Sequence, residues 1–343
     1  MNENTNRKRD IVILIALLVV LVVILIISLR PSDEVRRRTY YGYFDTICTI
    51  SDYSGEGEES FAATCDLISD ELSYYHELFD IYETYEGVTN IAYLNSMAGQ
   101  GPVTVSEELF GFLEYCVSIE RLSGGEVNVM MGSVLSLWHD LREEGVRIPT
   151  PGELAAAAEH VSITALVLDR GAMTVEITDP DASLDVGAIA KGYATERIAE
   201  ALTARGISGY ALDFGGNLRV VGTKRGGDGW KAGVQNPDPH AADRYVCELT
   251  VSDTSLVTSG DYERYYTVDG KRYHHIIDKD TLMPAEHFAS VSILCRDSGL
   301  ADALSTALFT MSYEDGAELL SSLDGVGAVW VTRDGEVYKY NID

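Results

Sequence analysis

The amino-acid sequence predicts an α+β fold, in which helices pack against mixed β-sheets. Residues 58–75 and 106–124 carry apolar side chains three and four positions apart, which is the spacing of helices that cover a core. Further along the chain the apolar runs are short and separated by Gly, Asp and Pro, a pattern typical of strands. The 343 residues, 46% of them hydrophobic, can supply one large core or two medium ones.

The individual elements follow from the same patterns. Alternating apolar residues predict a first strand at residues 43–52. Ser106 suits the N-cap of the second helix, because Glu107 and Glu108 occupy its first turn, and Gly124 ends it. Further strands are predicted at residues 165–168, 173–177, 218–221 and 245–251, and further helices at residues 196–202 and 300–311.

The N-terminal part predicts a membrane anchor. Residues 11–29 are 19 consecutive uncharged positions after a basic tripeptide, a length that spans a bilayer. A cleaved signal peptide is the alternative, but the run is long for one and lacks a small-x-small cleavage pattern. We predict a cytoplasmic tail at residues 1–10, a transmembrane helix at 11–29, a stalk at 30–40 and one folded, extracytoplasmic domain at 41–343. The protein would then be a single-pass protein of the cell membrane.

Charge and cysteine content exclude several classes of function. The net charge of −28 repels nucleic acid at long range, so no nucleic-acid partner is expected. A phosphate ligand would have to be held by local positively charged or N–H groups, such as a metal, a lysine or a helix N-terminus. The five cysteines are widely separated and odd in number, which gives no zinc spacing or disulfide framework, and we expect mostly buried free thiols.

The segment LDVGAIAKGYATE, residues 184–196, predicts a phosphate site. It joins the end of a buried strand to a turn of small residues and a helix start, where free backbone N–H groups can face an anion. Lys191 adds a cation to this turn. The alternative is an ordinary strand-to-helix turn whose glycines permit close packing.

Two further patterns point to metal and proton chemistry. Asp302 and Thr306 lie four residues apart, so on a helix both oxygens project from one face and suit magnesium. The alternative is an exposed Asp with a Thr that bonds back to its own helix. His274 and His275 would point to opposite faces of a strand, so only one of them need face a site. Turns at residues 215–217 and 259–261 are expected to shape the site.

These segments together resemble, in order and approximate spacing, the ApbE-type FAD:protein FMN transferases. The segments are LDVGAIAKGYATE, DFGGNLRVVG (213–222), TSGDYERYYTVDGKRYHHIID (258–278) and ADALSTALF (301–309), preceded by YFDTICTI (43–50), FDIYETYEGVTNIAYLN (79–95) and SGGEVNVMMGSVLSLW (123–138). The resemblance covers nearly all of the chain after the first forty residues. It implies a T-fold-like catalytic domain.

The resemblance also implies roles for individual residues. Magnesium would be bound by Asp302, Thr306 and the backbone carbonyl of Ala188. The residues implied in binding FAD are Phe44, Tyr82, Glu126, Val127, Asn128, Asp185, Lys191, His275 and Ile276. Either Asp261 or His275 would accept the proton of the attacking hydroxyl, and the sequence does not choose between them.

Five positions depart from the family pattern. Asp45 replaces a common glycine beside Phe44, and Val127 with Asn128 replaces a common Phe-Asp pair. Lys279 stands where proline is common, and Leu282 where glycine is expected. The last two departures bear on the geometry of the loop after His275, and the first three bear on the roles of single residues.

The function implied is magnesium-dependent cleavage of FAD, with transfer of FMN to a Ser or Thr hydroxyl of an acceptor flavoprotein and release of AMP. The acceptor would belong to a membrane or extracellular redox system. Two alternatives stay open: an FAD diphosphatase, in which water replaces the acceptor hydroxyl, and a non-enzymatic, membrane-anchored flavin-binding protein.

Overall fold

The computed structural model of the protein describes residues 35–342. The helices are α1 (Glu58–Phe79), α2 (Ile91–Ser96), α3 (Glu107–Leu122), α4 (Gly132–Glu144), α5 (Pro151–Ala158), α6 (Ala190–Ala204), α7 (Ser298–Thr310) and α8 (Tyr313–Ser321). The strands are β1 (Arg36–Tyr43), β2 (Thr46–Asp52), β3 (Val103–Thr104), β4 (Leu166–Asp169), β5 (Thr174–Ile177), β6 (Tyr210–Phe214), β7 (Asn217–Val221), β8 (Trp230–Gln235), β9 (Tyr245–Val251), β10 (Thr254–Gly260), β11 (Tyr265–Val268), β12 (Lys271–His274), β13 (Phe288–Cys295), β14 (Gly327–Thr332) and β15 (Val337–Tyr340).

The predicted α+β class is confirmed, and its centre is an eight-stranded sheet. The strand order is β1-β2-β6-β7-β10-β13-β14-β15. Every pairing in this sheet is antiparallel, rather than the mixture of directions that the sequence suggested. Two-residue turns explain part of this pattern, because β1 to β2 and β6 to β7 reverse within two residues.

Helices cover one face of the sheet. Phe61, Ile68 and Leu72 of α1 share one buried cluster with Ile50 of β2 and Leu212 of β6. A second cluster joins α7 and α8 to β13 and β14. The helical spacing read from residues 58–75 therefore marks core contacts, and α1 extends beyond it to Phe79.

A ribbon of two strands, β8 and β9, covers part of the opposite face. Trp230 and Val234 of the ribbon pack with Val220, Leu256 and Val329 of the main sheet. A smaller sheet, β3-β5-β4, the two-stranded sheet β11-β12 and a cluster built around Trp138 of α4 complete the described part of the chain. Four of the five cysteines are buried and all five are free thiols, as expected.

Residues 36–40 belong to the folded domain, whereas the sequence analysis placed them in a stalk. They form the first part of edge strand β1, which pairs with β2 along its length. The arginines are compatible with a strand because their partners lie on the adjoining elements. The Arg38 guanidinium lies 5.6 Å from the centroid of the Phe61 ring, and the Tyr40 hydroxyl donates to the Cys65 carbonyl of α1 at 3.0 Å.

The segment before α6 is buried but is not the strand that the sequence suggested. Its backbone is irregular and is held by a side chain: the Asn95 amide donates to the Leu184 carbonyl at 3.0 Å and accepts from the Leu184 N–H at 2.7 Å. The Asp185 N–H donates to the Val129 carbonyl at 2.8 Å. An asparagine on another element therefore replaces the partners that a strand would supply.

The predicted localisation is corrected by the structure. Within residues 35–342 no helix is both long enough and apolar enough to cross a bilayer. The longest, α1, has 22 residues but carries exposed acidic side chains such as Asp66 and Asp70. The predicted cytoplasmic tail, residues 1–10, and the predicted anchor, residues 11–29, lie outside the described residues.

Candidate active site

A cavity of about 580 Å³ lies where the β1–β2 turn, the start of α6, the loop after β12 and α7 meet. Twelve residues singled out from the sequence line it: Phe44, Tyr82, Glu126, Val127, Asn128, Asp185, Ala188, Lys191, His275, Ile276, Asp302 and Thr306. These residues span most of the folded domain in sequence. The fold thus brings them together around one space large enough for a sizeable ligand.

Asp302 points inward and is almost fully buried. Its Oδ2 accepts the Gly192 N–H at 2.7 Å, and its Oδ1 lies 3.3 Å from the Lys191 Nζ. Lys191 also donates to the Asn217 side-chain carbonyl. One helix N–H of α6 is therefore occupied by a carboxylate from α7, whereas the sequence analysis expected free N–H groups there.

Close packing of α6 on α7 creates this arrangement. A Cβ atom at Gly192 would collide with the Asp302 side chain and the Ser298 carbonyl, so only glycine permits the contact. Glu196 of α6 also accepts the Ser298 N–H of α7 at 2.8 Å and forms a buried ion pair with Arg219 of β7 at 3.0 Å. Breaking such a pair leaves an unpaired buried charge, so Glu196 is firmly held where it contacts α7.

The donors at this end of the cavity fit magnesium. The Thr306 hydroxyl lies one helical turn beyond Asp302, and within the described residues it makes one hydrogen bond, a long one of 3.5 Å donated to the Asp302 carbonyl. Ala188 lines the same cavity. A carboxylate, a hydroxyl and a main-chain carbonyl are hard oxygen ligands of the kind that Mg²⁺ prefers.

The two neighbouring histidines differ in what their ring nitrogens do. His274 is buried, and both of its nitrogens are used, by the Ala285 carbonyl at 2.9 Å and the Ile276 N–H at 3.3 Å. His275 donates its Nδ1–H to the Arg264 carbonyl at 3.2 Å, which leaves Nε2 as an acceptor. Burial and the Arg264 guanidinium lower the pKa of His275 to about 3. His275 is therefore a neutral imidazole with a free lone pair at physiological pH.

Asp261, the other predicted proton acceptor, is not part of the cavity wall. Its carboxylate lies 3.9 Å from the Arg272 guanidinium, and its N–H donates to the Ala289 carbonyl. The tight turn predicted at residues 259–261 is instead the end of β10, which continues to Gly260. Of the two candidates, only His275 borders the space in which a substrate would lie.

The β1–β2 turn forms one rim of the cavity in a strained conformation. Phe44 and Asp45 both have left-handed backbones, with φ of 52° and 50°. The Phe44 ring packs edge-on against His76, with centroids 5.7 Å apart. The structure explains why glycine is common at position 45, because a two-residue turn of this kind needs positive φ at both positions.

Asp185 lies in the cavity wall without an ion-pair partner in the described residues. The Gly187 N–H donates to its Oδ1 at 2.9 Å. Burial raises the pKa of the carboxyl above its usual value, and that bond together with the charges of His139 and Arg264 offsets part of the effect. A hydroxyl or ring N–H of a ligand would find an acceptor here.

Residues 126–128 line the cavity, and the two polar side chains among them already have protein partners. Glu126 accepts from the Thr310 hydroxyl at 2.7 Å and lies 3.4 Å from the Lys279 Nζ. The Asn128 amide donates to the Val161 carbonyl at 2.8 Å, and Val127 is buried.

The loop after His275 retains an ordered turn despite its departures from the family pattern. Asp278 accepts the N–H groups of Asp280 and Thr281, both at 2.8 Å, and so stabilises the turn. Leu282 has a φ of 58°, which is the backbone that glycine adopts without strain. Its carbonyl accepts the Trp138 indole N–H at 2.9 Å.

An aromatic wall was missed by the sequence reasoning. Trp138 and Tyr273 stack with centroids 6.0 Å apart and an interplanar angle of 27°, and Tyr266 packs 6.0 Å from Tyr273. All three line the cavity. Tyr82 also lines the cavity; it is 59% exposed, and its ring lies 5.3 Å from that of His139, the residue after Trp138. Flat apolar surfaces of this kind suit a planar ring system.

Two cationic side chains were also missed. Arg142 and Arg264 line the cavity together with Lys191. The segment 258–278 contains Arg264 as well as Tyr266 and Tyr273. Their place in this segment was the only feature of the sequence that could have indicated a role for them. These cations supply the local positive charge that an anionic ligand needs in a protein with a net charge of −28.

Comparisons with known proteins agree with this geometry. A model of the ApbE family matches residues 44–330. An FAD:protein FMN transferase of Treponema pallidum is 36% identical over 262 residues, 72% of either chain. One from Klebsiella pneumoniae is 29% identical over 267 residues, 78% of this chain and 81% of the relative. The crystal structure of the ApbE protein of Thermotoga maritima superposes with a TM-score of 0.79 at 27% identity, covering 90% of this chain and 97% of that one.

Proposed function

Because this chain belongs to the ApbE family, we propose that it is an FAD:protein FMN transferase, which cleaves FAD and attaches FMN to an acceptor protein. One observation carries the proposal: a single cavity holds a buried carboxylate, three cationic side chains, a neutral histidine and an aromatic wall. The cations suit the diphosphate of FAD and the aromatic wall suits its flat ring system, while the carboxylate and the histidine would serve metal binding and proton transfer.

Asp302, Thr306 and the Ala188 carbonyl would hold Mg²⁺ at the α6–α7 end of the cavity. When bound, the ion would neutralise charge on the diphosphate and help to orient it. Lys191 lies 3.3 Å from the Asp302 carboxylate and adds a second positive charge at the same end. Arg142, which also lines the cavity, would supply further positive charge.

In the proposed reaction, a Ser or Thr oxygen of the acceptor forms a bond with the phosphorus on the FMN side of the diphosphate. The bond from that phosphorus to the bridging oxygen breaks, and AMP leaves with the bridging oxygen. His275 Nε2 would take the hydroxyl proton, because the Arg264 carbonyl holds the proton on Nδ1. The cavity walls align the hydroxyl with the phosphorus.

The experiment that tests the function is incubation of the protein with FAD and Mg²⁺, with and without a redox flavoprotein that offers a Ser or Thr acceptor. We expect covalent flavin fluorescence on the denatured acceptor, together with one AMP per flavin transferred. Free FMN without labelled acceptor would indicate a diphosphatase instead. FAD that stays intact with Mg²⁺ and acceptor present would contradict both enzymes and favour a flavin-binding protein.

A second prediction concerns Tyr82 at the cavity rim. We propose that its ring stacks near the flavin, so Tyr82→Ala should weaken FAD binding by about 1–3 kcal/mol. Tyr82→Phe keeps the ring and should bind nearly as well as the parent protein. Titration of flavin fluorescence without Mg²⁺ measures both variants. Unchanged affinity in Tyr82→Ala would make Tyr82 an ordinary surface tyrosine, and equal losses in both variants would assign the contact to the hydroxyl.

A further inference from the structure

The turn at Phe44 and Asp45 is held in a conformation that neither residue prefers. Both have positive φ, and for a bulky residue such as Phe44 this backbone is unusual. A left-handed backbone is strained in a residue other than glycine, because the Cβ atom approaches the following carbonyl oxygen. Such strain persists only where surrounding groups hold it.

Arg264 supplies the holding contacts from across the cavity mouth. Its Nη2 donates to the Asp45 carbonyl at 3.1 Å and to the Phe44 carbonyl at 3.4 Å. These residues are more than 200 positions apart in sequence, so the contacts bridge two separate parts of the fold. The turn has a third contact, in which the Phe44 N–H donates to His76 Nδ1 at 3.4 Å.

The main chain of the same arginine holds His275. The Arg264 carbonyl accepts the His275 N–H at 3.1 Å and its Nδ1–H at 3.2 Å. One residue thus touches the strained rim with its side chain and the proposed proton acceptor with its backbone. A shift of the rim would be passed to the histidine loop through this residue.

We propose that Arg264 is a positioning residue, which keeps the Phe44–Asp45 turn in its ligand-binding conformation and in register with His275. This inference rests on the proposed function and adds a residue to it. In the absence of Arg264 the turn would relax from its left-handed conformation, and a smaller fraction of molecules would be competent to bind FAD. Apparent affinity falls in proportion to that fraction.

The alternative is that the guanidinium binds a phosphate of the ligand directly. The two cases differ in what rescues a variant. Glycine at position 45 adopts positive φ without strain, so Asp45→Gly should restore the left-handed turn in a protein that lacks Arg264. The same substitution cannot replace a missing contact between the guanidinium and a phosphate. The Arg264 side chain is exposed, so its removal should leave the fold intact.

The experiment is a double-mutant cycle of Arg264→Ala and Asp45→Gly. FAD affinity is measured by flavin fluorescence without Mg²⁺, and amide hydrogen exchange is measured over residues 41–47 in the ligand-free protein. Arg264→Ala should weaken FAD binding about fivefold to tenfold and speed exchange in the turn. In the Asp45→Gly background the same substitution should weaken binding less than about twofold. Arg244→Ala, on the exposed β8–β9 connection, is the matched control.

Two results would overturn the inference. Equal losses of affinity in both backgrounds would assign Arg264 to direct ligand contact. Unchanged exchange in the Arg264→Ala turn would show that the turn does not depend on the arginine. If the parent protein neither binds nor cleaves FAD, the proposed function fails, while the exchange measurement still tests the role of Arg264 in the turn.

Discussion

Replacement of Asp302 by Asn is expected to lower FMN transfer by about two to three orders of magnitude, while the protein stays folded. Loss of the only carboxylate among the three proposed ligands removes most of the charge that would hold Mg²⁺, and metal-assisted charge neutralisation is worth several kcal/mol. Asn keeps an oxygen that can accept the Gly192 N–H. Asp302→Ala is the poorer test, because it leaves that buried N–H without an acceptor and lowers the free energy of unfolding by about 1–3 kcal/mol.

The measurement is the rate of acceptor labelling against Mg²⁺ concentration, with thermal unfolding of each protein in parallel. The variant should need more Mg²⁺ and should not reach the parent rate. Asp324→Asn, which removes one exposed carboxylate outside the cavity wall, is the control and should leave the rate unchanged. Full transfer by Asp302→Asn at limiting Mg²⁺ would refute the proposed metal site.

Replacement of His275 by Ala is expected to lower transfer by about two orders of magnitude or more, the usual contribution of a positioned proton acceptor. FAD binding should change far less, since the proton moves only during the reaction. Asp261→Asn should have a small effect, because the Asp261 carboxylate lies outside the cavity wall. His240→Ala, at an exposed position in the β8–β9 connection, is the control for loss of an imidazole.

The pH dependence sharpens this test. Burial first, and then the Arg264 guanidinium, lower the pKa of His275 to about 3, so the ring is neutral throughout the range from pH 5.5 to 8.5. The ratio of parent to His275→Ala rates should therefore be constant across this range. A ratio that falls tenfold per unit below about pH 6.5 would mean that the ring titrates normally.

The same shift affects stability in a defined direction. Between about pH 3 and the ordinary histidine pKa, the unfolded chain binds a proton at this residue that the folded protein does not bind. The free energy of unfolding should therefore fall as the pH is lowered through this window. The decrease should be smaller in His275→Ala, which can be measured by urea unfolding at pH 4.5 and 7.5.

Local periodicity explains the parts of the fold that the sequence predicted well. The i, i+4 spacing of Asp302 and Thr306 places both on one face of any helix, and α7 presents them to the cavity. Ser106 caps α3 through the Leu109 N–H, as its residue type favours. These predictions need only the geometry of a single element, which is why short stretches of sequence suffice.

Other features depend on contacts between distant segments. The irregular backbone at Leu184 replaces a strand because Asn95 supplies its hydrogen bonds. Residues 36–40 are held in the sheet with the help of α1, whose Cys65 carbonyl accepts the Tyr40 hydroxyl. No local pattern in either segment encodes a partner that lies many residues away.

The sequence by itself determined the α+β class, several of the helices and strands, the family and twelve of the residues that line the cavity. Tertiary structure alone decided that Asp302 faces the start of α6 rather than solvent, that His275 rather than Asp261 borders the cavity, and that Arg264 reaches across to the β1–β2 turn. The physical reason is that secondary structure and motif composition arise from residues close in sequence. Burial, the pKa of a side chain and the partner of a donor are set instead by which distant elements pack together.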